Sequence, residues 1–212
     1  MPGPEIKICG LSTPEMVDAA VAARASHIGL VHYPPSPRHV SLEQAARLRV
    51  RVPAEIKVVL LLVNEQPEPT VRAIEAVKPD VVQFHGGETP EWLAVLKQAG
   101  VKELWKAVGI KDVDGLERSK RFKGAADRLL YDAPAQKLPG GQGLAIDWSL
   151  FAGFRHEMPW GLAGGLTPGN VAEAIRVTGA PLVDASSGLE SAQGVKDAGK
   201  IAAFCDAVRA AG

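Results

Sequence analysis

Two loops in the last third of the chain have the residue types that bind a phosphate group. The first follows the apolar run 160–163, and the second follows the apolar run 181–183. Glycines let backbone N–H groups approach an anion closely, and a helix that begins after the loop adds a favourable dipole. The residues predicted to bind phosphate are Gly164, Gly165, Ser186, Ser187 and Gly188.

Side chains able to perform acid–base chemistry lie where predicted strands end. They are Cys9, His85, Asp132 and Asp184, with Arg38 in the loop after the second predicted strand. Each has an ordinary structural interpretation, because free cysteines often pack in cores and an Asp often caps a turn. Because these side chains all lie at strand ends, a shared functional site is favoured. The third and fifth predicted strands, by contrast, look like hydrophobic core with few polar side chains for a site.

Short apolar runs alternate with helical patterns along the whole chain, which is typical of βαβα folds. The predicted strands are Ile6–Cys9, His27–Val31, Lys57–Val63, Val81–His85, Glu103–Val108, Arg128–Asp132, Trp160–Ala163 and Leu182–Ala185. The predicted helices are Thr13–Arg24, Leu42–Val50, Glu68–Val77, Pro90–Gln98, Val113–Lys120, Trp148–Phe154, Pro168–Thr178 and Ala198–Ala210. Helix caps are predicted at Ser12 or Thr13, Ser41, Thr89 and Thr167.

Eight strand–helix pairs favour an α/β fold with one (β/α)₈ barrel, a single TIM-barrel domain over residues 1–212. In that fold the carboxyl ends of the strands carry the chemistry, and the last two loops bind phosphate. An open sheet would need a glycine-rich dinucleotide turn after the first strand, and residues 10–12 do not provide one. The glycine-rich loop 136–143 would lie on the catalytic face and close over substrate, or else form a plain surface loop.

The composition argues against a nucleic acid or a membrane as the binding partner and leaves a small phosphorylated molecule as the expected one. The net charge is +0, whereas proteins that bind nucleic acids or anionic membranes carry a basic excess. Two cysteines do not make a disulfide framework or a zinc ribbon. The amino terminus has neither a basic segment nor a long apolar one, so a cytoplasmic location is expected. The composition leaves the oligomeric state open.

Several segments together match a known family. They are Lys7–Gly10, Ser36–Arg38, Val82–Gly86, Leu130–Asp132, Gly140–Gly143, Asp147–Trp148, Ala163–Leu166 with Pro168 and Asn170, Asp184–Glu190, and Gly194–Asp197. In their order and approximate spacing the chain resembles phosphoribosylanthranilate isomerase, a (β/α)₈ enzyme of tryptophan biosynthesis. Phe84, Ala133 and Gln142 stand where family members usually have Leu, Ser and Thr.

The resemblance implies a reaction and a role for each residue. The family performs an Amadori rearrangement of N-(5-phosphoribosyl)anthranilate, which requires an acid at the ring oxygen and a base at C2. By resemblance, Asp132 is the general acid and Cys9 the general base. Arg38 then contacts the anthranilate carboxylate, Asp184 contacts the amine, and His85 supports the site. No redox or group transfer occurs, so the resemblance implies no cofactor.

Three alternatives stay open at the level of sequence. A metal-dependent sugar-phosphate epimerase could use His32, His85, Asp132 and Asp184, although their spacing matches no ligand pattern and leaves Cys9 idle. The aminoaldose isomerase of histidine biosynthesis performs the same rearrangement with a pair of aspartates, but here the first strand ends in Cys9. A non-catalytic protein that binds a phosphorylated ligand is the third, and retention of both acid and base argues against it.

Overall fold

Eight parallel strands form a closed barrel in the computed structural model, which describes residues 3–134 and 146–212. The strands are β1 Glu5–Cys9, β2 His27–Val31, β3 Lys57–Leu62, β4 Val81–Phe84, β5 Leu104–Gly109, β6 Arg128–Asp132, β7 Trp160–Leu162 and β8 Leu182–Ala185. Each pairs with the next along the chain, and β8 pairs with β1 with Asp184 beside Lys7. The predicted (β/α)₈ barrel is confirmed. Loop 136–143, predicted to close over substrate, lies outside the described residues.

The helices follow the strands. They are α1 Pro14–Ala22, α2 Leu42–Arg49, α3 Pro67–Val77, α4 Pro90–Gln98, α5 Val113–Ser119, α6 Val171–Thr178 and α7 Ala198–Ala211. Thr13, Ser41 and Thr89 accept hydrogen bonds from the first turns of their helices, as predicted. Within the described residues, no helix combines the length and apolar character needed to span a membrane.

Three predictions about elements were wrong. The segment predicted as helix Trp148–Phe154 forms only the 3₁₀ helix Trp148–Phe151, where Asp147 accepts hydrogen bonds from the Ser149 hydroxyl and N–H. The helix predicted from Pro168 begins at Val171 instead, because Asn170 binds the Thr167 N–H and makes a turn first.

The third was an omission at the end of the barrel. After β8 and the 3₁₀ helix Ser187–Leu189, a hairpin forms from β9 Glu190–Ala192 and β10 Val195–Lys196. Gly194 adopts a positive φ in its turn. Several strand ends also differ from the prediction by one residue, so that Val63, His85 and Ala163 lie just past their strands.

Successive side chains along each strand point alternately out of and into the barrel, so the core has an outer part against the helices and an inner part inside the barrel. Outward-facing side chains such as Ile6 and Ile8 pack with the helices, while Cys9 packs inside with Val31, Leu61 and Val63. A further inner cluster is formed by Val59, Val81, Trp105, Ala107, Leu130 and Leu182. Because side chains alternate with a period of two, Lys7 and Cys9 share the inner face of β1.

Candidate active site

Cys9 lies at the carboxyl end of β1, where its side chain is 5% exposed. Its register partner on β2 is Gly29, and a Cβ there would stand 2.9 Å from the Cys9 Sγ. A neighbour without a side chain thus makes room for the thiol. Two residues earlier, the fully buried Lys7 places its Nζ 2.8 Å from the Oδ2 of Asp184.

The three groups Cys9, Lys7 and Asp184 alter one another's ionisation. Burial raises the pKa of the Cys9 thiol, and the nearby cations Lys7 and Lys196 only partly oppose it. Burial also raises the pKa of Asp184 against the effect of Lys7. Burial alone would lower the pKa of Lys7, but the charges of Asp184 and Cys9 raise it overall. Burial therefore opposes formation of the Cys9 thiolate, which is the form that a base would need.

Asp132 ends β6 and contacts two groups. Its Oδ2 lies 3.2 Å from His85 Nε2, and its Oδ1 accepts a 2.7 Å hydrogen bond from the Ala133 N–H. Gly164 packs against this turn with φ +82°, and a Cβ there would stand 2.6 Å from the Ala133 nitrogen. The loop after β7 is therefore fitted closely to the strand end that carries Asp132.

Arg38 is held in place by Glu190, which lies 152 residues later in the chain. Its Nε and Nη2 donate to the two carboxylate oxygens of Glu190 at 2.6 and 2.8 Å. Lys196 Nζ also donates to Glu190, at 2.6 Å, and to the Ser186 carbonyl at 3.1 Å. Burial opposes the ionisation of Glu190, but the hydrogen bonds from Arg38 and Lys196 hold its pKa at about 2.

The two loops predicted to bind phosphate touch each other through their backbones. A Cβ at Gly188 would stand 2.0 Å from the carbonyl oxygen of Leu166, so only glycine fits. Gly165 adopts φ +68°, and its carbonyl accepts a 3.0 Å hydrogen bond from the Asn170 amide. The structure thus brings the residues Gly164, Gly165, Ser186, Ser187 and Gly188 to adjacent loops at one end of the barrel.

Another buried ion pair fixes the turn that follows His85. Lys106 Nζ lies 3.2 Å from the Oε2 of Glu88 and donates to the Gly86 carbonyl at 2.8 Å. Glu88 in turn accepts hydrogen bonds from the backbone N–H groups of Gly86 and Asn64. The prediction that the fifth strand has little polar equipment was therefore wrong, because Lys106 uses its charge on the side of β5 away from the barrel interior.

The sequence model of one family, described as N-(5'-phosphoribosyl)anthranilate (PRA) isomerase, matches residues 6–207. The chain belongs to this family. The N-(5'-phosphoribosyl)anthranilate isomerase of Erythrobacter litoralis is 65% identical over 205 residues, which cover 96% of this chain and 98% of that protein. The protein of the same name from Rhodospirillum centenum is 46% identical over 204 residues, or 94% and 95% of the two chains.

Solved structures of the PRA isomerase family have the same fold. The crystal structure from Thermotoga maritima matches with a TM-score of 0.89 and 33% identity, over 98% of this chain and 99% of that one. A second structure holds reduced 1-(o-carboxyphenylamino)-1-deoxyribulose 5-phosphate in complex with a phosphoribosyl anthranilate isomerase. It matches with a TM-score of 0.84 and 33% identity over 98% and 99% of the two chains.

Three charged residues of this PRA isomerase family member lie in segments that match the family, but the sequence did not predict their place in the site. Glu190 and Lys196 belong to matched segments, yet the contact between Glu190 and Arg38 joins positions 152 residues apart. Lys7 begins the first matched segment, but its ion pair with Asp184 was not predicted. The available signal was its spacing of two from Cys9 on a predicted strand, which places both side chains on one face.

Proposed function

We propose that the protein catalyses the Amadori rearrangement of N-(5-phosphoribosyl)anthranilate to 1-(2-carboxyphenylamino)-1-deoxyribulose 5-phosphate in tryptophan biosynthesis. One observation supports this most strongly. Around the barrel the order is β6, β7, β8, β1, so the strands that carry Asp132 and Cys9 flank the two phosphate-type loops. A substrate whose phosphate lies on those loops would present its ribose between the acid and the base.

Asp132 is the proposed general acid and Cys9 the proposed general base. Asp132 protonates the furanose ring oxygen to open the ring, and Cys9 then removes the C2 proton to give the enol that becomes the ketone. His85, 3.2 Å from Asp132, is placed to orient the acid. Cys9 must lose its own proton first, and Lys7 is the cation that favours the thiolate.

The remaining residues are proposed to bind the substrate. Backbone N–H groups of the loops around Gly165 and Ser187 hold the phosphate. The guanidinium of Arg38 faces the anthranilate carboxylate, and Glu190 fixes its direction. Asp184 accepts from the anthranilate amine, for which its Oδ1 is suited, because this buried atom has no hydrogen-bond partner among the described residues.

The reaction needs no group beyond these side chains, and one barrel domain would be sufficient to perform it. A cysteine that acts as a base must stay reduced, which fits a reducing cytoplasm. Among the described residues, no cluster of three or more His, Cys, Asp or Glu side chains has an arrangement that could hold a metal ion.

The direct test is to assay the purified protein on N-(5-phosphoribosyl)anthranilate with a metal chelator present. Asp132→Asn, which cannot deliver the proton, should lower kcat on the order of 10²–10⁴-fold. Asp206→Asn, the same change at an exposed position of α7, serves as the control and should keep wild-type turnover. No turnover by the wild-type protein, or equal rates in the two variants, would contradict the proposal.

A further inference from the structure

Lys7 is a buried cation with two acidic neighbours. Its side chain is completely buried, and its Nζ contacts the Asp184 carboxylate at 2.8 Å. Cys9 lies two residues later on the same face of β1, within electrostatic range of Lys7. The second oxygen of Asp184 has no partner among the described residues. Lys7 is therefore paired with Asp184 inside the barrel and lies beside a second acidic group, Cys9.

The charges of Lys7, Cys9 and Asp184, here called the trio, can be balanced in two ways. With Lys7 charged, the trio is neutral when one of its two acids, Cys9 or Asp184, is ionised and the other keeps its proton. Two protonated acids would leave an uncompensated buried cation, and two ionised acids would leave an uncompensated buried anion. Both of these states are costly in the barrel interior.

We propose that Lys7 is the shared counter-ion of Cys9 and Asp184, so that its charge favours the thiolate of Cys9 when Asp184 is protonated. Such a pair of acids titrates as one coupled unit. The inference rests on the proposed function for the assignment of Cys9 as the base, and it makes Lys7 a positioning residue.

The groups that face the trio are compatible with this arrangement. Lys196 of β10 lies within electrostatic range of Cys9 and adds to the attraction for a thiolate. Asp132 and His85 act on Asp184 in opposite directions, Asp132 raising its pKa and His85 lowering it. His27 of β2 lies within electrostatic range of Lys7, and burial lowers its pKa to about 3, so it is neutral at pH 7.

The test is a pH titration of the ultraviolet absorbance of the thiolate, without substrate, in a Cys205→Ala background. Only Cys9 then titrates as a thiol, because the chain has two cysteines. Lys7→Met should raise the titration midpoint by at least about one pH unit, since the thiolate loses its counter-ion. Asp184→Asn should lower it by a similar amount, since Cys9 no longer competes for Lys7.

Two further variants keep the test decisive. Lys106→Met removes another buried lysine, the partner of Glu88, and should leave the Cys9 midpoint unchanged. If Lys7→Met does not fold, the double variant Lys7→Met/Asp184→Asn removes both charges, and its midpoint should lie above that of Asp184→Asn alone. An unshifted midpoint in the Lys7 variants, or one that does not fall in Asp184→Asn, would overturn the inference.

Failure of the inference can be told from failure of the proposed function. The titration is made on the free protein and does not depend on the substrate. If the Cys205→Ala protein does not turn over N-(5-phosphoribosyl)anthranilate while the midpoints shift as expected, then the proposed function is wrong and the shared counter-ion stands. Turnover with unshifted midpoints would show instead that the proposed function stands and that Lys7 is not the shared counter-ion.

Discussion

Buried cations around the mouth of the barrel are paired with buried carboxylates, and two of these pairs, Lys7–Asp184 and Arg38–Glu190, join distant parts of the chain. Glu190 is the acidic residue that serves two of them, Arg38 and Lys196, and its side chain is 6% exposed. A buried ion pair contributes little net stability, but removing one member leaves the other uncompensated. The consequence is that Glu190 should matter for folding and for the position of Arg38 together.

Glu190→Gln should therefore lower the free energy of unfolding by about 3–5 kcal/mol, since Arg38 and Lys196 lose their anion. If Arg38 binds the anthranilate carboxylate, KM should rise more than kcat falls. Glu173→Gln is the matched control, because Glu173 pairs with Arg176 on the exposed face of α6 and should change neither quantity. Urea unfolding and steady-state kinetics measure both. A Glu190 variant as stable as the control would contradict this interpretation of the network.

Sequence reasoning identified the candidate acid and base from strand ends, but it did not identify their partners. Lys7 and Asp184 are 177 positions apart, and Arg38 and Glu190 are 152 apart. No periodicity joins residues at such distances; closure of the barrel brings them together. The raised pKa of Cys9 could not be predicted from the sequence either, because burial in the folded barrel is what raises it.

At the scale of elements, the strands were predictable because parallel strands buried on both faces appear in the sequence as short apolar runs. The hairpin of β9 and β10 was missed, since its residues are mostly polar and its role is to carry Glu190 and Lys196. Residues 148–154 have a helical pattern of apolar residues. The Asp147 carboxylate accepts the hydrogen bond from the Ser149 N–H, and only a 3₁₀ helix forms.

The contact between the loops after β7 and β8 gives a prediction for phosphate binding. Inorganic phosphate should raise the melting temperature of the wild-type protein, by an amount equivalent to about 2.7 kcal/mol at a hundred times Kd. Gly188→Ala should abolish most of this rise and increase KM, because its Cβ would meet the Leu166 carbonyl oxygen.

Gly169→Ala is the control for this experiment, since the nearest atom to its Cβ would be the Thr167 hydroxyl at 3.9 Å. Thermal unfolding with and without phosphate gives the comparison for both variants. A Gly188 variant that phosphate stabilises as much as it stabilises the control would show that the phosphate site has been misplaced.

For the whole molecule, the buried His27 and the half-buried His156 tie stability to pH. Burial lowers the pKa of His27 to about 3 and that of His156 to about 4, from an ordinary value of 6.5. The unfolded chain then binds protons that the folded protein does not bind, so stability falls as pH drops through 6.5 toward these values. Above 6.5 both histidines are neutral in either state, and their contribution is constant.

His156→Phe should reduce this acid sensitivity. The His156 ring stacks on Trp160 with centroids 3.9 Å apart, and its buried Nδ1 has no partner among the described residues. Phenylalanine keeps an aromatic ring in the stack and removes the titrating group. The gain in unfolding free energy over wild type should grow as pH falls from about 6.5 to about 4 and then level off. A gain that is the same at every pH would mean that His156 is not buried in its neutral form.

The assignment of Cys9 as the catalytic base is tested most directly by one pair of substitutions. The chain has a second buried cysteine, Cys205 in α7, on the outer side of the barrel. Cys9→Ser and Cys205→Ser make the same chemical change in the two places, and circular dichroism verifies that both fold. The measurement is kcat on N-(5-phosphoribosyl)anthranilate. We predict a loss on the order of 10²–10⁴-fold in Cys9→Ser alone, whereas near-normal turnover in Cys9→Ser, or an equal loss in both, would contradict the assignment.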